Sequence, residues 1–170
     1  MFGEVADGEM KENKLGRIVQ SVWYGLPQHY LGVECDAFVV MPNHVHGIIF
    51  LTDVAQGEPD VGAGLRPARV GLGRHRASTP RAGLRPAPTP LSELVRAFKS
   101  FSARCINEMR GKTGIAVWQR NFYEHIVRDA DELNRIREYI VNNPLQWELD
   151  RENPDRKEIN SAAKPEPWEV

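Results

Sequence analysis

The sequence predicts an α+β domain, a small antiparallel sheet with helices covering one or both of its faces. Three observations carry that reading. Two β-branched, apolar runs, VECDAFVVM and HVHGIIFL, flank the turn signal Pro42-Asn43 and predict a hairpin. Apolar residues recur at helical spacing before and after that hairpin. The resulting order is helix, strand, strand, insert, helix, strand, helix.

Leu15, Ile18, Val19, Val22 and Trp23 lie at helical spacing, and Gly25 and Pro27 are expected to stop this first helix. Val33–Met41 and His44–Leu51 are the two hairpin strands. Residues 54–90 are rich in Gly, Pro, Ala and Arg and poor in large apolar residues. They contain a near-repeat, AGLRPAR at 63–69 and AGLRPAP at 82–88, and are expected to form an extended insert outside the core. Thr89 then predicts a helix N-cap with Pro90 in the first turn. Leu91, Leu94, Val95, Phe98, Phe101, Cys105 and Met109 form the apolar stripe of that helix, which Gly111 to Gly114 end. Val117–Val127 has strand-like composition with polar interruptions. Asp129 and Glu132 form a capping box opening the last helix, whose core face is Leu133, Ile136 and Ile140 and whose limit is Pro144. From Asp150 the tail is charged, contains proline and is expected to be frayed.

Composition narrows the class of function. A chain of 170 residues is about one domain. The two cysteines, Cys35 and Cys105, fit no disulfide framework and no metal spacing, so reduced thiols in a cytoplasmic protein are expected. No apolar stretch approaches the ~20 residues that span a bilayer, and the N-terminus lacks a signal-peptide pattern. The formal charge of −1 conceals a strong asymmetry. Residues 1–60 carry 3 Lys/Arg against 9 Asp/Glu, residues 61–112 carry 11 against 2, and residues 113–170 carry 8 against 12. Such a basic middle third is either a polyanion-binding segment or a solvated basic loop.

The segment MPNHVHGII carries the chemistry. Side chains alternate along a strand, so His44 and His46 share one face while Val45 occupies the other. Two imidazoles so placed are able to share a metal ion, although half-buried strand histidines with ordinary hydrogen bonds give the same pattern. The helix RIREYIVNNPLQW sets Tyr139 and Asn143 four residues apart, on one face. A tyrosine attacks phosphorus well only when a cation polarises the phosphate and holds it in line. A metal held by two histidines and an amide oxygen meets that need. The structural alternative is a packing tyrosine followed by an Asn-Pro helix stop.

MPNHVHGII together with EYIVNNP resembles the HUH single-strand endonucleases that use one catalytic tyrosine, and most of all the REP-associated tyrosine transposases, relatives of the small insertion-sequence transposases. VWQRNFYEHIVRDADELNRIREYIVNNPLQW adds to the likeness, which covers roughly residues 2–52 and 89–152. The resemblance implies a ferredoxin-like fold and metal-dependent cleavage and rejoining of single-stranded or hairpin DNA through a 5′-phosphotyrosine, with Mg²⁺ or Mn²⁺ as cofactor. It assigns His44 and His46 as metal ligands, Asn143 as the helix-borne third ligand and Tyr139 as the nucleophile. It divides the chain into 1–53 and 90–150 as two halves of one catalytic domain, 54–89 as an insert and 151–170 as a polar tail. Family members carry an aromatic, β-branched strand ahead of the segment that here reads Met1-Phe2-Gly3-Glu4-Val5. The resemblance therefore implies that the first strand of the sheet is missing, from an upstream start or from decay of the gene, with strand edges exposed as a result.

Phosphate contacts are expected from Arg96, Lys99, Arg104, Arg120 and the insert arginines. Trp118, Phe122 and Tyr123 are candidates for stacking on unpaired bases, Trp118 and Phe122 equally for the core. Tyr123 and Tyr30 are rival nucleophiles, and His125 reads as a surface histidine, with a group supporting the site or contacting DNA as the alternatives. Relatives act as monomers or homodimers. The competing functions are a non-catalytic nucleic-acid-binding module, a hydrolase using metal-activated water, and a catalytically inactive truncated remnant.

Overall fold

The computed structural model describes residues 1–52 and 90–156. The expected insert falls almost wholly outside these residues, as does Thr89. The α+β class is observed: the described residues form two antiparallel two-stranded sheets and three α-helices. The elements are β1 (Gly3–Ala6), β2 (Glu9–Glu12), α1 (Lys14–His29), β3 (Val33–Val40), β4 (Val45–Leu51), α2 (Leu91–Met109) and α3 (Ala130–Asn142), followed by a 3₁₀ helix over Asn143–Leu149.

The N-terminal hairpin β1–β2 turns at Asp7-Gly8, where φ is +56° and +76°. Positive φ at both loop positions is the type I′ geometry that matches strand twist, and Asp-Gly supplies it cheaply. The hairpin ends on the core. Phe2 is buried, its N–H donates to the Pro42 carbonyl at 2.7 Å, and its carbonyl accepts the Asn13 N–H at 2.9 Å. Asn13 in turn caps α1, its side-chain oxygen accepting the N–H groups of Leu15 and Gly16.

Helix α1 does not stop at Gly25 and Pro27 but runs to His29. Leu26 is buried beside Trp23, so apolar packing outweighs the two helix breakers. Proline cannot donate to the carbonyl one turn back, that of Trp23. The Cys35 thiol donates to that carbonyl instead, at 3.5 Å.

Strands β3 and β4 form the expected hairpin, closed by a bond from the Met41 N–H to the His44 carbonyl at 2.9 Å. Cys35 faces Ile49 and Phe38 faces Gly47, so β3 carries one more residue than its partner over this stretch. This bulge reverses the alternation. Cys35, Phe38 and Val40 pack with Val45 and Ile49 against α1 and α2, around Trp23, Leu94 and Phe98. Ala37 and Val39 pack with Ile48 on the other face, against Ile136 and Ile140 of α3.

On α2 the buried stripe is Leu94, Phe98, Ser102 and Ile106, with Phe101 and Met109 about half exposed. It is rotated from the expected one because Ser102 is drawn inward: its hydroxyl donates to the Phe98 carbonyl at 2.7 Å and accepts the Trp118 indole N–H at 2.9 Å. Pro90 occupies the cap position of α2 rather than its first turn, and its carbonyl accepts from Glu93 and Leu94.

The strand expected over Val117–Val127 is absent, since among the described residues no ladder runs beside it. Strand-like composition needs a paired neighbour to become a strand. The segment is held by side chains instead. Val117 and Trp118 pack on the α1–α2 face of β3–β4, and Val127 packs on the α3 face. Helix α3 opens as expected, Asp129 accepting the Glu132 N–H at 2.8 Å.

Candidate functional site

The β3–β4 turn and β4 bring His44 and His46 together. Their Nε2 atoms lie 2.9 Å apart with the rings perpendicular. Two nitrogen ligands at about 2.1 Å from one ion and about 90° apart stand about 3 Å from each other, so the spacing fits shared coordination. His44 Nδ1 lies 2.8 Å from the Asn43 side-chain oxygen. Because an amide oxygen only accepts, Nδ1 carries the proton and Nε2 keeps its lone pair. Burial and the neighbouring His44 push the His46 pKa down to about 3. Burial also lowers that of His44, against the opposing pull of Asp150 and Glu152. Both rings are thereby kept neutral, and with His44 Nε2 bare the 2.9 Å contact is a hydrogen bond donated by His46 Nε2–H, which a shared cation would replace.

Tyr139 lies on the same face of the sheet. Its ring meets that of His46 edge-on at 5.3 Å between centroids, and it packs at the border of the Ile48–Ile136–Ile140 cluster. Asn143 is 2 % exposed, and its Oδ1 accepts no hydrogen bond among the described residues. An orphaned amide oxygen one turn beyond Tyr139 is a donor suited to a hard cation. Helix α3 is fixed across this face by Arg137, whose Nε donates to Asp36 Oδ2 at 2.8 Å. Among the described residues no three His, Cys, Asp or Glu side chains stand grouped as a ready metal cage.

The segment after α3 also reaches the site, where a frayed tail is expected from sequence. Trp147 lies 6.0 Å from the His44 ring, the Asn43 side chain donates to the Glu152 carbonyl at 2.6 Å, and Asp150 Oδ2 stands 3.8 Å from His44 Nε2. Residues 150–156 are tied into turns rather than loose. Asp150 is the residue that sequence reading missed, because no spacing rule links it to a hairpin more than a hundred positions earlier.

The expected DNA-contacting residues divide into two groups. Lys99 is committed: its ammonium donates to the Gln119 carbonyl at 3.2 Å and to that of Asn121, and it lies 5.9 Å from the Phe122 ring centre. Trp118 is half-buried against the core, packed on Phe2 and Phe98 with its N–H on Ser102, so it is no open stacking platform. Arg96 pairs with Glu93, and Arg104 lies over the Phe101 ring at 4.8 Å. Arg120 is exposed, as are Phe122 and, at 69 %, Tyr123. His125 is not a bare surface histidine, since its Nε2 lies 2.8 Å from the Glu132 carboxylate. Cys35 and Cys105 are free thiols. No helix among the described residues is long and apolar enough to cross a membrane.

No family model matches the chain. No solved structure matches it. A protein of Haemophilus influenzae that bears the name uncharacterized protein is 36 % identical over 152 residues, covering 89 % of this chain and 76 % of the relative. At that identity and coverage, the chain belongs to one family with the Haemophilus influenzae protein.

Proposed function

We propose that this protein nicks and rejoins single-stranded DNA, of the REP-associated tyrosine transposase type, with Tyr139 as nucleophile and Mg²⁺ or Mn²⁺ as cofactor. The observation that carries the reading is the convergence of the two imidazole Nε2 atoms, 2.9 Å apart, with the Tyr139 ring set against His46. His44, His46 and the Asn143 amide oxygen would hold the cation. When bound, it supplies charge stabilisation at a non-bridging oxygen of the scissile phosphate. Tyr139 Oη attacks phosphorus, the bond to the 3′-oxygen breaks, and that oxygen leaves as a 3′-hydroxyl once protonated. The 5′-phosphate remains on the tyrosine, so a second 3′-hydroxyl can reverse the step without ATP. The exposed Arg120 and Tyr123 suit contact with a phosphate backbone and an unpaired base. A ferredoxin-like arrangement, a hairpin-forming DNA substrate, a cytoplasmic location and action as a monomer or homodimer belong to the same reading.

The test is a covalent-adduct assay with labelled single-stranded DNA, including hairpin substrates, in Mn²⁺. Wild-type protein gives a denaturation-resistant adduct. Tyr139→Phe gives none and binds the DNA with nearly unchanged affinity. An adduct that survives in Tyr139→Phe overturns the assignment. Cleavage without any adduct identifies a hydrolase using activated water, and binding without cleavage a non-catalytic module.

A further inference from the structure

We propose that Asp150 is a ligand of the divalent cation, supplying a carboxylate oxygen beside His44; this rests on the reading of His44 and His46 as a metal site. Asp150 Oδ2 stands 3.8 Å from His44 Nε2, and its side chain is 12 % exposed. Two donors that bind one ion at about 2.1 Å lie 3–4 Å apart, so the separation of Oδ2 from His44 Nε2 is one that a shared ion spans, and a two-histidine, one-carboxylate set forms if the ion draws the side chain in.

The two carboxylate oxygens of Asp150 have separate duties. Oδ1 accepts the Glu152 N–H at 2.8 Å. Oδ2 is the one that faces His44. The backbone around it is fastened: the Asp150 N–H donates to the Trp147 carbonyl at 3.2 Å, and the Asp150 carbonyl accepts the Asn153 N–H at 3.2 Å. Asn43 ties this segment to the turn, one amide touching both His44 Nδ1 and the Glu152 carbonyl. The carboxylate is thus positioned by the same side chain that fixes the His44 tautomer. Chemistry favours the assignment as well. Two imidazoles alone suit Zn²⁺, Cu²⁺ or Ni²⁺, whereas anionic oxygen draws the hard ions Mn²⁺ and Mg²⁺.

The experiment is direct Mn²⁺ binding to the full chain without DNA, followed by electron paramagnetic resonance and by calorimetry. Wild type binds one Mn²⁺. Asp150→Asn retains an oxygen for the Glu152 N–H and so keeps the turn, and it weakens Mn²⁺ binding by about tenfold or more. Asp150→Glu recovers part of that loss. Thermal melts in chelator confirm that each variant folds. If His44→Ala abolishes binding while Asp150→Asn leaves it unchanged, Asp150 is not a ligand and the histidine site stands. If wild type binds no divalent ion, both readings fall.

Discussion

Gly47 follows the second histidine directly, and a side chain at that position tests the packing beneath the site. The Cβ of an alanine at residue 47 would lie 2.5 and 2.7 Å from two carbons of the Trp23 six-membered ring and 2.8 Å from a Phe38 ring carbon. Carbon atoms rest at about 3.5–4.0 Å, so the rings must retreat by about 1 Å. They have nowhere to go: Trp23 is stacked on Phe38 at 4.4 Å and braced from another side by Phe98 at 5.5 Å. Overpacking of this kind costs about 1–3 kcal/mol, and a disturbed aromatic pair adds about 1 kcal/mol. Gly47→Ala is therefore expected to lose about 2–4 kcal/mol in urea unfolding followed by tryptophan fluorescence. Gly25→Ala, in α1 and with open space at its Cβ, is the control and should gain up to about 1 kcal/mol. If Gly47→Ala unfolds within about 0.5 kcal/mol of wild type, Trp23 does not lie over β4 as described.

The folded-state pKa of His46, about 3 against an ordinary 6.5, makes stability depend on pH. As pH falls below 6.5 the unfolded chain takes up the proton first, so this stability is present above pH 6.5 and is lost between 6.5 and 3. In metal-free buffer the loss from pH 7.5 to 5.5 should be about 1 kcal/mol, and His46→Gln should flatten it; equal losses in both proteins would refute the cause. Ser102→Ala removes the partner of the half-buried Trp118 N–H and should cost about 1 kcal/mol by urea titration, and a loss below about 0.5 kcal/mol would mean that this hydrogen bond contributes little.

What was legible in the sequence was what neighbouring residues decide. Pro42-Asn43 between two β-branched runs specified a hairpin, and strand alternation put His44 and His46 on one face. The Asp129–Glu132 spacing marked the start of α3, and the four-residue step put Asn143 one turn from Tyr139. Asp7-Gly8 is a hairpin-turn signal of the same local kind, and it turns β1 into β2. The rest depended on partners distant along the chain. Burial of Trp23 and Leu26 carries α1 through Pro27. The Trp118 indole N–H, far along the chain, finds Ser102 on the buried stripe of α2. Val117–Val127 has the composition of a strand without a ladder to join, and Asp150 meets His44 only after the chain has folded back through α3.

The extra residue between Cys35 and Phe38 gives β3 a role beyond geometry. Were β3 paired without the bulge and with that residue kept, either Val33 and Cys35 or Phe38 and Val40 would exchange sides, moving apolar groups from the Trp23 cluster toward the Ile136 cluster or the reverse. No bulge-free pairing of this sequence serves both clusters at once. The irregularity thus acts as a keyway that admits a single alignment of the hairpin, and with it a single side on which the two imidazoles can emerge.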